Sequence, residues 1–155
     1  MALQKRDVYE ELSKTFTASI KYTLFVPATI NVARSIGSRV IALESRELSD
    51  VRQQVIDEIV ATVSNTTIGG VTVMGDHNGT WYDSDLKLVV RERGTQIVAI
   101  VPIELHEVEV FDLVLDKRVK LTVPAFFRRL AKGVQETFNQ SSVLLTAEPV
   151  YMALV

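Results

Sequence analysis

Residues 86–123 read LKLVVRERGTQIVAIVPIELHEVEVFDLVLDKRVKLTV, and the spacing of their apolar side chains decides the architecture. Leu86, Leu88 and Val90 alternate with Lys87 and Arg91, and Ile97, Ala99, Val101, Ile103 and Leu105 form the longest alternating run. Successive side chains of a strand point to opposite faces, so a period of two describes a pleated ribbon with one buried face. Arg93-Gly94 predicts the turn into the long strand. Pro102 has no donor for a ladder and predicts an edge strand or a bulge. The phase then slips. Val108 and Val110 fall on even positions and Phe111, Leu113 and Leu115 on odd ones, which calls for a bulge if one face is to stay buried. Asp116-Lys117 predicts a tight turn into Val119, Leu121 and Val123. With Val71 and Val73 ahead of it, the stretch is expected to fold as an antiparallel β-meander over about residues 68–123.

The flanks have a different rhythm. From about Ser49 to Ser64, Val51, Val55, Ile56, Ile59, Val60 and Val63 form one apolar stripe, with Leu48 just ahead, so a helix is expected. Ser49 and Asp50 suit its N-cap, and Gln53 stands three after Asp50 as in a capping box. Pro124 fits the first position of a helix whose stripe is Phe127, Leu130, Val134 and Phe138. Near the start, Val8, Leu12, Phe16 and Ile20 recur every four residues, and Tyr22–Val26 then reads as a short strand stopped by Pro27. Residues 28–43 fit either a helix, through Ile30, Ala33, Gly37 and Val40, or a buried strand at 39–43. Together these readings give an α+β fold: a single domain, residues 1–155, with the meander packed against two or three amphipathic helices.

Composition narrows the chemistry. A length of 155 residues suits one domain with its own core. There is no cysteine, which excludes disulfides, thiolate metal sites and a cysteine nucleophile. The formal charge of −2 lacks the basic excess of a duplex-DNA binder, so nucleic acid is not the expected partner. Leu24–Leu43, the most apolar long stretch, carries Asn31, Arg34 and Arg39 and is a poor bilayer span, and MALQKRDVYEELSKTF lacks the apolar centre of a signal peptide. A cytoplasmic or cytosol-assembled protein without membrane contact is the expectation. The mean hydropathy of +0.18 fits apolar surface covered by a partner and equally a well-filled core.

Motifs are sparse. GDHNGTWYDSD, residues 75–85, gathers Asp76, His77, Asp83 and Asp85 beside the lone Trp81. Oxygen-rich loops of this kind hold hard cations, and His77 could act as ligand or base. Its spacing departs from the twelve-residue calcium loop, and Asp, Asn and Gly also serve plain turns. His106 lies among Glu104, Glu107 and Glu109, where a solvated strand face is the simpler meaning. Arg128, Arg129 and Lys132 form a basic helix face that could touch phosphate, as could Lys117, Arg118 and Lys120. Gly69-Gly70 suggests a bulge or a close backbone approach. No nucleophile elbow or phosphate-binding loop is present, and no cofactor is implied. Asn65, Asn78 and Asn139 begin N-x-S/T triplets that matter only on a secreted chain.

The expected function is therefore a non-catalytic subunit of a ring, tube or virion-type assembly, meeting copies of itself or neighbouring subunits. The apolar tail, with Val150, Tyr151, Met152, Leu154 and Val155, is expected to add a strand or dock on a neighbour. The alternatives are a small metal- or ligand-binding domain or enzyme using residues 75–85, and a nucleic-acid-associated module using Arg128–Lys132.

Overall fold

The computed structural model of the chain describes residues 5–36, 39–47, 49–83, 87–140 and 142–153. Its elements in chain order are α1 (Lys5–Thr15), β1 (Thr17–Pro27), β2 (Thr29–Ile36), β3 (Arg39–Glu47), α2 (Ser49–Ser64), β4 (Thr72–Asp83), β5 (Leu88–Pro102), β6 (Glu107–Asp112), β7 (Lys117–Thr122), α3 (Val123–Thr137) and β8 (Leu145–Met152). The fold is α+β. Strands β4-β5-β1-β8 make an antiparallel four-stranded sheet, while β2-β3 and β6-β7 each make a two-stranded one.

Alternation in β1 and β5 builds the floor of the core. The register pairs Ile20 with Val101, Tyr22 with Ala99 and Leu24 with Ile97, so apolar side chains meet across the strands on one face. Helix α2 lowers Ile56, Ile59 and Val63 onto that face, and α3 adds Phe126, Phe127, Val134 and Phe138. The Tyr22 ring stacks on Phe127 with centroids 4.2 Å apart, and burial pushes its phenol pKa upward. Thr122 caps α3, its hydroxyl accepting from the Ala125 N–H at 3.3 Å, and Pro124 occupies the first turn as its spacing predicts.

The antiparallel strands expected in the middle of the chain are present, but they divide between two sheets. After β5, the Leu105 N–H donates to the Pro102 carbonyl at 3.0 Å, and this turn carries the chain away from the main sheet. Hairpin β6-β7 then packs Val108, Val110 and Leu121 against the core. Pro102 fits its place for a specific reason. The Ile103 N–H bonds Ala18 and the Ala28 N–H bonds Arg93, so the odd-numbered residues of β5 pair with β1 and Pro102 turns its nitrogen toward β4. The β4 ladder reaches only Thr72, opposite Val98, so no bond is lost there.

Several local expectations are corrected. Phe16 leaves α1 and Ile20 lies in β1, because pairing with strands on both sides outweighs a four-residue recurrence. The helical option for 28–43 gives way to the β2-β3 hairpin, with a register shift between Arg34 and Ser35; Gly37 and Leu48 lie outside the described residues. Arg93-Gly94 makes no turn. Gly94 sits inside β5 between His77 and Pro27, and a Cβ there would collide with the Val26 carbonyl oxygen and the Phe25 ring. It is Gly94, then, that provides the close backbone approach. Gly69 and Gly70 have open space, and Gly69 adopts a φ of +89° in a turn.

Candidate functional site

The sequence FDLVLDK, residues 111–117, closes the β6-β7 hairpin, and its two aspartates shape it. Asp112 Oδ1 accepts from the backbone N–H groups of Val114 and Leu115 at 2.9 and 3.0 Å. This is the local side-chain-to-backbone bonding that lets aspartate nucleate turns. Its Oδ2 accepts from Arg129 Nη2 of α3 at 2.9 Å, which fastens the base of the turn to the helix. Asp116 adopts a left-handed φ of 52°, a conformation short polar side chains tolerate, and β7 begins at the next residue. The Leu115 N–H, and next the Arg129 hydrogen bond, hold the Asp112 carboxyl below the usual aspartate range.

This frame holds three apolar side chains in solvent. Leu113 is 86% exposed, Val114 93% and Leu115 57%, with Phe111 also open beside them. Scattered apolar residues on a surface are ordinary, but a contiguous apolar tip on a braced hairpin marks a contact surface. The phase slip at Phe111 was its only signal in the sequence. Leu113 and Leu115 continue an alternation, yet the strand has already ended, and no bulge interrupts the β6-β7 register.

Other exposed features lie elsewhere. Helix α1 leaves Val8 and Tyr9 open and Leu12 half-buried, with the Tyr9 ring 6.4 Å from that of Tyr151 on β8. Strand β8 pairs with β1 from Leu145 to Met152, so the tail does add a strand. Val150 and Met152 are half-buried and Tyr151 is exposed, whereas Leu154 and Val155 lie outside the described residues. The Phe25 N–H bond to the Leu144 carbonyl fixes which β8 residues face β1, and the odd-numbered ones therefore face outward. Pro149 is one of these. It removes a donor from the middle of the free edge and interrupts pairing with any further strand.

The stretch expected to be a polar hairpin loop, with ion binding as the alternative, is mostly strand. Asp76, His77 and Asp83 lie in β4, with His77 opposite Gly94 and Asp83 opposite Leu88; Asp85 lies outside the described residues. His77 and Asp83 are thereby about 20 Å apart along extended backbone. Among the described residues no group of three or more His, Asp or Glu could hold a metal ion. His106 is exposed ahead of β6, and its carbonyl accepts from the Val123 N–H at 3.0 Å. On α3, Arg128 and Lys132 are exposed, while Arg129 is bonded to Asp112. Among the described residues, no helix is long and apolar enough to cross a membrane.

The chain matches no known protein-family model, and neither the curated proteins nor the solved structures show a significant similarity to it.

Proposed function

We propose that this chain is a non-catalytic assembly subunit, a component of a cytosol-assembled ring, tube or virion-type particle built from copies of itself or from neighbouring subunits. The observation that carries this reading is the braced apolar tip Leu113-Val114-Leu115. Holding three large aliphatic groups in water costs free energy in the lone chain, on the order of 25 cal/mol for each Å² of apolar surface, and burial against a partner removes that cost. The open Val8 and Tyr9 of α1 point the same way. Light scattering of the purified protein at micromolar concentration is expected to give a defined oligomer, and negative-stain microscopy a closed or open array. A monomer that persists as concentration rises sinks the proposal.

A further inference from the structure

We infer that β4 of one copy pairs with β4 of a second copy, antiparallel about a two-fold axis at Thr80; this rests on the assembly reading above and names a contact away from the tip. The main sheet ends on β4 at one side and on β8 at the other, and the two edges differ. Along β8, Pro149 interrupts the free edge. Among the described residues β4 pairs with β5 alone, and its other edge holds no proline from Thr72 to Asp83. A register shift between Met74 and His77 breaks only the first part of that edge. From Asn78 to Tyr82 there is no acid or base either. Sheets guard exposed edges with prolines, charges and bulges, and the centre of β4 has none of these.

The backbone selects a second copy as the occupant and sets its register. The odd-numbered residues of β5 face β1, so Gly94, Glu92 and Val90 face β4, where they pair with His77, Gly79 and Trp81. Asn78, Thr80 and Tyr82 therefore turn their N–H and C=O groups outward, and Thr80 is exposed. The regular part of β4 runs from His77, after the register shift, to Asp83, where the strand ends. Thr80 is its middle. Antiparallel pairing centred there is the one register that matches every residue from 77 to 83 with a residue of the same segment. It sets Thr80 opposite Thr80 and Asn78 opposite Tyr82, so all the outward-facing groups exchange backbone hydrogen bonds. It also sets Gly79 opposite Trp81, an aromatic residue against an edge glycine, a combination that pins register in paired strands. His77 falls opposite Asp83, and no pair sets like charges against each other. The two sheets become one, and both β4 edges disappear. Because the same patch serves both partners, the contact closes as a dimer and leaves the tip to join dimers into a larger particle.

The absence of cysteine makes a direct test available. Directly opposed residues of a hydrogen-bonded antiparallel pair have Cα atoms about 5.5 Å apart, within the reach of a disulfide. Under mild oxidation, Thr80→Cys protein should therefore cross-link to a dimer at least tenfold faster than Tyr82→Cys protein, whose two cysteines would stand roughly 13 Å apart along the strands. Tyr82→Cys mixed with Asn78→Cys should recover the fast rate. In light scattering, Thr80→Pro should weaken association at least tenfold. It should still fold, since it removes only an outward N–H; thermal melts verify this. If the unaltered protein assembles while Thr80→Pro leaves association unchanged and position 80 does not cross-link, this contact is wrong and the assembly reading survives. If the unaltered protein is monomeric throughout, both fall. Slow amide exchange at Asn78, Thr80 and Tyr82 in the assembled protein, without cross-linking at position 80, would assign the edge to a different strand and overturn the inference.

Discussion

Two apolar clusters lie twelve residues apart and meet opposite fates. Phe126 and Phe127 open α3 and are 1% and 3% exposed, whereas Leu113 and Val114 close the β6-β7 hairpin and are 86% and 93% exposed. Hydropathy does not separate them, because all four side chains favour burial. The difference lies in what each backbone can reach. A helix laid over a sheet presents a stripe to it, while a two-stranded hairpin longer than its support must run past that support. Here α3 covers the stem at Val108, Val110 and Leu121, and beyond Asp112 the turn is clear of it. The Asp112–Arg129 pair connects the two clusters, so the helix that completes the core also aims the tip.

This contrast can be broken at several points. The largest effect is expected from Phe126→Ala, which should cost about 3–5 kcal/mol and show as an earlier denaturant midpoint, because the packed cluster can only partly close the cavity. Gly94→Val comes next. Its added carbons meet the Val26 carbonyl and the Phe25 ring, so a loss of about 1–3 kcal/mol is expected in the same measurement. Thr122→Ala removes the cap of α3 and should cost about 1 kcal/mol in a thermal melt. Acid should loosen the tip before the core. The folded-state pKa of Asp112 is lowered, so its stabilisation is fully present above the unfolded value of about 3.9 and is lost as pH falls through the folded value. Amide exchange at Val114 and Leu115, corrected for its intrinsic pH dependence, should therefore gain protection as pH rises through that range, and Asp112→Asn should abolish the trend. The smallest stability effect belongs to Val114→Asp, expected within about 0.5 kcal/mol of the unaltered protein. A large loss there would mean that the tip is packed in the lone chain, and the contrast would be false.

Legibility in the sequence followed the same division. Helix α2 occupies Ser49–Ser64, the span its apolar stripe predicts, and α3 starts where Pro124 places it. Strand β5 carries the Ile97, Ala99 and Val101 alternation into the core. Where two tendencies competed, the pattern misled. Ile20 continued the recurrence of α1 while its neighbours were committed to β1, and Gly94 resembled a turn because glycine serves both turns and tight crossings. Residues 75–83 held the donors of a loop but belong to a strand, since pairing with β5 decides conformation there. The tip was visible only as a slip in phase at Phe111.

Alternation and helical recurrence are properties of neighbouring residues, and they determined by themselves an α+β chain with antiparallel strands at its centre, α2 and α3 above them and no thiol chemistry. Only the tertiary structure decided that β1, drawn from the start of the chain, separates β5 from β8. It alone decided that β6-β7 leaves the main sheet and that Arg129 steadies the turn at Asp112. The reason is physical: local spacing fixes which face of a segment seeks burial, but which apolar groups find cover depends on contacts between residues far apart in the chain.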